Sequence, residues 1–563
     1  MVLRIKWFAA ILVLGTSIVF AQNKSQIGFH PEGQKRVFFS EDFGSKSFKV
    51  LNENGKAVYE GITSQAKEWP HSGTKVCIAD FSHLKDEGSF ELLIEGSKQH
   101  EAILITNIVY KDLNKALSKS FYHARVSVEI LEEFAGEYAR PAGHPDDKVI
   151  IHPTAATKER SEGSTISSPG GWYDAGDYNK YIVNSSITTY TMLHAVQMYP
   201  KTAKKMHLNI PESGNSTPDL LDETLINLKW MLSMQDPNDG GVYHKLTSKK
   251  FCGIKMPHKD LSDRYVVMKT TAATLDFAAT MAKAVRVLKA HQKDYPGLAE
   301  ECEKAALYAW EWAMANPDVL YKQAEDIKTG QYQDTKIADE WFWAASELYL
   351  LSSNEKFLDK MDYKSTHFGV PQWGRVNSLG LYSILSSKKS KADNKTASKK
   401  LLAQADKLVN EYENSAYGIS ITKFPWGSNS EVANQGILLL QAYHLTEKAI
   451  YLKAADACAA YILGANPLGY CFITGFGTKS PMHIHERRSE SDGIDAPVPG
   501  LLAGGPTKQA RKDCGEKKYP SEFPAMSYLD EECSYSTNEI AINWNAAAIY
   551  LFLGLDSIYN DKQ

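Results

Sequence analysis

Apolar and polar positions follow two rhythms along this chain, and the change between them divides it. From about residue 23 to residue 108 the segments are short and alternate with a period near two. Phe48-Lys49-Val50-Leu51 and Ala57-Val58-Tyr59 flank Asn54-Gly55, a pair that favours the tight turn of a β-hairpin. Phe90, Leu92 and Ile94 are spaced by two, and Ala102-Ile103-Leu104-Ile105 reads as a closing strand. About 85 residues of such strands predict a small all-β sandwich. Nothing in it concentrates acids, histidines or exposed aromatic residues, so it reads as a packing or positioning module, with nothing to support a glycan-binding role.

After residue 109 the spacing becomes three and four. Leu275, Ala278, Ala279, Ala282, Val285 and Leu288 mark one face of Thr270–His291. Ten further segments behave alike, near 113–126, 185–199, 219–235, 298–315, 338–352, 376–387, 398–413, 429–446, 448–464 and 538–558. Strands first and helices afterwards predict two domains rather than a mixed sheet. Helix pairs can stack into a solenoid or close into a ring, and the lack of a fixed repeat length favours the ring. Three long irregular segments, about 140–184, 236–268 and 465–537, interrupt the helices. Segments of that length inside a helical domain are usually functional.

The first residues are read as an address. Arg4 and Lys6 precede an apolar run from Trp7 to Phe20, and Val19-Phe20-Ala21 offers small residues for cleavage. Residues 1–21 are thus expected to be a secretory signal peptide, cleaved near Ala21, which makes the protein secreted, extracellular or periplasmic. No later segment is long and apolar enough to span a bilayer. Among seven cysteines there is no CxxC pair, which argues against a zinc knuckle, and Cys514 with Cys533 flanks one irregular loop and is the expected disulfide, the alternative being two free thiols. With 63 basic and 67 acidic residues the net charge is −4, so no basic field points to nucleic acid. The aromatic content, 11 Trp, 29 Tyr and 21 Phe, suits a packed core and equally a carbohydrate cleft.

The candidate chemistry lies in the long segments. Gly170-Gly171-Trp172-Tyr173-Asp174-Ala175-Gly176-Asp177-Tyr178-Asn179-Lys180-Tyr181 sets two aspartates three apart around a glycine, among aromatic residues expected to form a floor beneath them. Such a pair can hold a water and take its proton, or can merely form a turn. Ser536-Thr537-Asn538-Glu539 precedes an apolar helix. Glu539 is there either the closing residue of a capping box or a carboxylic acid kept protonated by its surroundings. In Pro481–Ser489, His483 and His485 have no third ligand at metal spacing, so His485 and Arg487 read better as hydrogen-bond donors to a neutral, hydroxyl-rich substrate.

Together these runs resemble glycoside hydrolase family 9, the inverting cellulases. The Asp-Ala-Gly-Asp run, Tyr461–Tyr470 with Thr474–Gly477, His485–Ser489 and Ser536–Asn545 are similar to that family's motifs and stand in its order. The resemblance implies an N-terminal immunoglobulin-like β-sandwich (23–108) and an all-α (α/α)6-barrel catalytic domain (109–563). It implies Asp177 as general base, Asp174 as its partner in orienting water, Glu539 as general acid, and His485 and Arg487 at the substrate. Trp373, Trp426 and Trp544 are similar to cleft aromatics, with Tyr243 and His244 as further candidates. Acid and base on two different loops suit an inverting reaction, which needs room for a water between them.

The chain also departs from the pattern. Glu486 replaces a usual histidine, which puts subsite preference in doubt, and Arg488 stands where proline is frequent. Residues 120–152 lack cysteine, so the family's zinc is expected to be absent. Thr329-Gly330 with Asp339-Glu340-Trp341 resembles a calcium segment, so Asp339 and Glu340 are candidate ligands of a structural calcium, and the chemistry needs no cofactor. The expected activity is that of an endo-1,4-β-glucanase on cellulose-type glucan, by a monomer. The alternatives are xyloglucan, mixed-linkage glucan or chitosan oligosaccharides (exo-acting) with the same mechanism, Glu486 being the acid that would face an amino group, or a glycan-binding protein without catalysis.

Overall fold

The computed structural model describes residues 23–561 apart from 98–99, 365, 388–391, 509–512 and 516–518, so the expected signal peptide lies outside the described residues. The N-terminal immunoglobulin-like domain has seven strands, β1 (Arg36–Ser40), β2 (Ser47–Asn52), β3 (Ala57–Ile62), β4 (Lys67–Trp69), β5 (Thr74–Asp80), β6 (Gly88–Ile94) and β7 (His100–Ile105). They form two antiparallel sheets in the orders β1-β5-β4 and β3-β2-β6-β7. The period-two residues turn inward as expected: Phe48, Val50, Phe90, Leu92 and Ile94 are buried with Val37, Phe39 and Ile103. Asn54-Gly55 makes the β2–β3 turn, with Gly55 at φ 72°, where a side chain would be strained.

The second domain is an (α/α)6 barrel. Six helices form its inner ring: Ile182–Met198, Thr271–Leu288, Ala338–Ser352, Asn377–Ser386, Ser428–Thr446 and Ile542–Asn560. The ring closes where Ile542–Asn560 packs against both Ser428–Thr446 and Ile182–Met198. Inner helices are covered on almost every side, so their sequences are apolar or small all round; Ile182 to Val196 is buried without a break. Outer helices need only one stripe. Asn394–Asn414 buries just Ala397, Leu401, Ala405 and Leu408, a spacing of four, four and three. The other outer helices are Lys111–Ala124, Asp219–Ser233, Leu298–Ala315 and Ala449–Ile462, and the sixth outer place is held by a short 3-10 turn, Glu355–Lys360. That turn is too short for a periodic signal, which is why the sequence shows eleven helices and not twelve.

The long segments gather at one rim. Two of them contribute a small sheet that the pattern did not predict, in the order Lys180–Tyr181, Lys245–Thr247, Tyr265–Val266, Val149–Ile151, Thr165–Ile166. Strands of two or three residues carry no readable alternation. Among the described residues no helix is long and apolar enough to cross a membrane.

Candidate active site

The Asp174–Asp177 loop is held from behind. Lys180, fully buried, pairs with Asp146 (2.8 Å) and donates to the carbonyls of Ser168 (3.1 Å) and Gly170 (2.9 Å). Arg264 joins Asp146 and donates to the Tyr178 carbonyl at 2.8 Å. Trp172, Tyr173 and Tyr178 are buried in this support, not laid out as the expected floor: Trp172 Nε1 donates to Glu223 at 2.9 Å and Tyr178 Oη donates to the Lys255 carbonyl at 2.6 Å. Of the four aromatics only Tyr181 lines the cleft.

Both aspartates reach the cleft, with different partners. Asp174 accepts from Asn184 Nδ2 at Oδ1 (2.7 Å) and from Tyr332 Oη at Oδ2 (2.6 Å). Asp177 accepts at Oδ2 from Tyr181 Oη (3.1 Å) and from Asn179 Nδ2. Asn179 is fixed in turn, since its Oδ1 accepts from Thr247 Oγ1 (3.0 Å) and the Ser248 N–H (2.9 Å). Thus both oxygens of Asp174 are engaged, whereas the bonds to Asp177 from described residues all fall on Oδ2 and leave Oδ1 as an acceptor for a water. Burial, with the charge of Asp177 beside it, pushes the Asp174 carboxyl up to about 8, against the pull of its two hydrogen bonds. Lys245 lies behind Asp177, donating to the Gly330 carbonyl at 2.6 Å; burial draws its ammonium down to about 7 and Asp177 opposes that.

Glu539 comes from the other side. It does not open a helix, and the capping-box alternative falls. The residue is extended (φ −68°, ψ 157°) between the short helix Tyr535–Asn538 and the inner helix Ile542–Asn560, whose N-cap is Ala541. Ser536 Oγ is bonded instead to Tyr519 Oη at 2.8 Å. The strand-like stretch pairs with three neighbours: Glu539 with His485, Ile540 with Ala503, and Ala541 with Ala175. It is therefore clamped to the aspartate loop through backbone. Burial, reinforced by the charges of Asp177 and Asp174, raises the Glu539 carboxyl well above its usual range, against the pull of Arg487 and the Gly176 N–H. A buried carboxyl raised above its usual range and an aspartate bonded through one oxygen only thus face one cavity from separate loops.

Gly176 is where the loops clasp. Its carbonyl accepts from the Arg487 N–H at 3.3 Å and from Arg487 Nη1. A Cβ there would meet the His485 carbonyl oxygen at 2.2 Å, so the residue between the aspartates must be glycine for reasons of space. His485 Nδ1 donates to the Glu532 carbonyl at 2.7 Å, which makes Nε2 of the neutral ring an acceptor, opposite to the donor role the sequence suggested. Arg487 Nε donates to the Cys252 carbonyl at 3.1 Å, and its guanidinium lies 5.5 Å from the Phe251 ring centre.

The cavity holds about 680 Å³. Asp174, Asp177, Glu539, His485, Arg487, Trp373, Trp426 and Trp544 all line it, with Phe251, Tyr332, Gln372, Glu431, Tyr535 and Asn543 among those the sequence did not mark. Tyr332 had no local signature; it sits at φ 44°, a left-handed value rare for a tyrosine, and meets Trp373 edge-on at 5.1 Å. Tyr243 and His244 do not reach the cavity. Tyr243 is buried, donating to Asp236 (3.2 Å) and accepting from Arg160 (3.1 Å), and His244 stacks on Tyr321 at 4.0 Å. Glu486 is also turned away: it is buried, pairs with Arg488 and accepts from Ser489 Oγ at 2.9 Å. It cannot set subsite preference by contact.

Cys514 and Cys533 form a disulfide just before the segment that carries Glu539. Asp339 and Glu340 lie outside the cleft, buried together with Asp276 and Asp334. Both oxygens of Asp276 and of Glu340 lack a hydrogen-bond partner; burial raises all four carboxyls, and neighbouring carboxylates add to it for Asp276, Asp339 and Glu340. These are hard oxygen donors of the kind calcium takes. Among the described residues no three or more His, Cys, Asp or Glu side chains converge as a finished metal cage.

Comparison with known proteins decides the family. The description "Glycosyl hydrolase family 9" matches residues 110–552. The chain belongs to that family. Residues 25–99 match the cellulase N-terminal ig-like domain. A xyloglucan-specific endo-β-1,4-glucanase of Bacteroides ovatus is 40% identical, over 95% of this chain and 93% of its own length. Endoglucanase D of Acetivibrio thermocellus is 32% identical over 96% and 84%. Among solved structures, a Bacteroides ovatus family 9 protein superposes with a TM-score of 0.90 at 39% identity, covering 96% of this chain and 99% of the other. An endoglucanase of Alicyclobacillus acidocaldarius gives 0.86 at 28%, covering 95% and 99%. This family 9 member is a glycoside hydrolase with an immunoglobulin-like domain ahead of its barrel.

Proposed function

We propose that this glycoside hydrolase is a secreted, inverting endo-1,4-β-glucanase. The observation that carries the reading is the placement of Glu539, raised by burial, and of Asp177, bonded through Oδ2 alone, on separate loops of one aromatic cleft. Glu539 gives its proton to the glycosidic oxygen as the C–O bond breaks. Asp177 Oδ1 takes a proton from the water that attacks the anomeric carbon from the opposite face. Asp174, held by Asn184 and Tyr332, accepts the second hydrogen of that water when ionised and so orients it. No cofactor enters the chemistry. Trp373, Trp426 and Trp544 supply flat apolar faces for glucosyl rings.

A second reading, xyloglucan, is favoured by the 40% identical relative that is specific for it. Viscosity and reducing ends measured together on carboxymethyl cellulose, barley β-glucan, xyloglucan and chitosan separate these readings. A fast fall in viscosity on a glucan supports endo action and ranks the backbones. Reducing ends without loss of viscosity would mean exo action, and Asp177→Asn should remove turnover while leaving oligosaccharide binding.

For Asp339 and Glu340 we infer ligation of a structural calcium, supported by the unpartnered buried oxygens of Glu340 and of Asp276 beside it. Millimolar calcium should raise the melting temperature by several degrees over the protein in EDTA. Equal melting would leave the cluster as protonated carboxyls.

A further inference from the structure

One acid in the cleft has no part in the chemistry above. Glu431 stands in the first turn of the inner helix Ser428–Thr446, where the helix N-terminus favours negative charge. Its N–H donates to the Gly427 carbonyl at 3.1 Å. Gly427 itself is pressed on Trp544, since a Cβ there would approach the indole at 2.8 Å. The start of this helix is therefore locked to the wall that carries Glu539 and Trp544, and Glu431 has little freedom. Gln372 Nε2 donates to Glu431 Oε2 at 2.6 Å, and Gln372 is fixed by a two-way backbone pairing with Arg375, 3.0 Å in each direction. Gln435 is a second side-chain partner, and burial raises the carboxyl against the pull of Gln372, Arg375 and Gln435; a carboxylate has about four acceptor positions, so these donors leave capacity toward the cavity that Glu431 lines. Trp373 and Trp426 line the same cavity, each close in sequence to one member of the Gln372–Glu431 pair. Flat apolar faces with one fixed acceptor match the two surfaces of a glucosyl unit, its ring face and its equatorial hydroxyls.

We propose that Glu431, oriented by Gln372, is a specificity-determining residue that accepts a hydrogen bond from an unsubstituted hydroxyl of the bound glucan. The inference rests on the β-glucan reading and assigns part of the cleft's affinity to this carboxylate. The contact is made equally in the ground state and the transition state, so its loss falls on KM and not on kcat. A hydrogen bond to a charged group carries roughly 1.5–3 kcal/mol, about ten- to a hundredfold in affinity.

The test is steady-state kinetics of the full chain and of Glu431→Gln on barley β-glucan and cellohexaose, with melting temperatures. Glutamine keeps the size and can still bond Gln372. KM should rise about ten- to a hundredfold, with kcat within twofold and melting within about two degrees. Unchanged KM on both substrates would overturn the proposal, and so would a joint fall of kcat and melting temperature, the mark of a structural role. Titration of cellohexaose into the Asp177→Asn protein, with and without Glu431→Gln, reads the same loss as Kd should turnover be too slow to follow. If the wild-type chain cleaves none of the glucans, the endoglucanase reading fails first. If it cleaves them and Glu431→Gln binds as well as wild type, only this inference fails.

Discussion

Asp174, beside the reacting pair, carries a shift that can be turned into a test. An isolated aspartate ionises near 3.8, whereas burial and Asp177 push Asp174 up to about 8. Between those values the unfolded chain has released a proton that the folded chain keeps. The carboxyl's contribution to stability is therefore complete below pH 3.8 and is lost as pH rises through 8. Asp174→Asn cannot ionise and still offers Oδ1 to Asn184 or Tyr332. It should melt several degrees above wild type at pH 8, lose that advantage near pH 4, and turn over far more slowly. A pH-independent difference in melting would contradict the shift. At this scale the sequence was informative wherever a side chain's own chemistry announced it, as for Asp174, Asp177, Glu539 and Arg487, whereas the three tryptophans were marked only by the resemblance to the family. It was silent on Tyr332, Lys245 and Glu431, because an isolated tyrosine, lysine or glutamate acquires its role only from the tertiary partners that surround it. Tyr243 misled for the converse reason: an aromatic residue in a long segment looks alike whether it faces a cleft or Asp236 and Arg160.

Among the elements, the loops depend on backbone contacts that no local pattern reveals. The stretch around Glu539 was expected to be helical because a mostly apolar run follows it. In the structure the chain first runs extended through Ile540 and Ala541, pairing with Ala503 and Ala175, and the helix starts at Ile542. Those pairings outweigh the helical preference of three residues. The rim sheet is similar, its two- and three-residue strands being fixed by neighbours far away in sequence. Gly176 is the point at which this arrangement is most exposed to change. Gly176→Ala puts a methyl group 2.2 Å from the His485 carbonyl oxygen, so one loop must move. Activity should fall at least about a hundredfold, as misplacement of a reacting group by about 1 Å can cost. The barrel should stay folded by circular dichroism. An alanine variant with near wild-type kcat would show that the clasp is not needed.

For the whole molecule, the sandwich keeps a core of its own but lends Phe38, Trp69 and Val76 to the core of the barrel. Phe38 of the sandwich stacks on Tyr417 of the barrel at 5.1 Å, and Trp69 meets Tyr417 at a tilt at 5.0 Å and Phe424 at 6.1 Å. The sandwich thus props the segment that ends in Trp426, the cleft aromatic two residues beyond Phe424. The sequence showed a positioning module but not what it positions, because the contact joins residues about 350 apart. Gln34 strengthens the joint, its N–H donating to Asp456 at 2.6 Å. Trp69→Ala should cost about 3–5 kcal/mol, as for other buried aromatic truncations, and should raise KM more than it lowers kcat. A melting temperature equal to wild type would show the domains to be independent.

The central claim is that Glu539 and Asp177 act from opposite faces of one sugar ring. Proton NMR of the first product released from a β-1,4-glucan, recorded before mutarotation, tests it directly. The account predicts that the new reducing end forms as the α-anomer and that Asp177→Asn forms none. A new reducing end that forms as the β-anomer would contradict it.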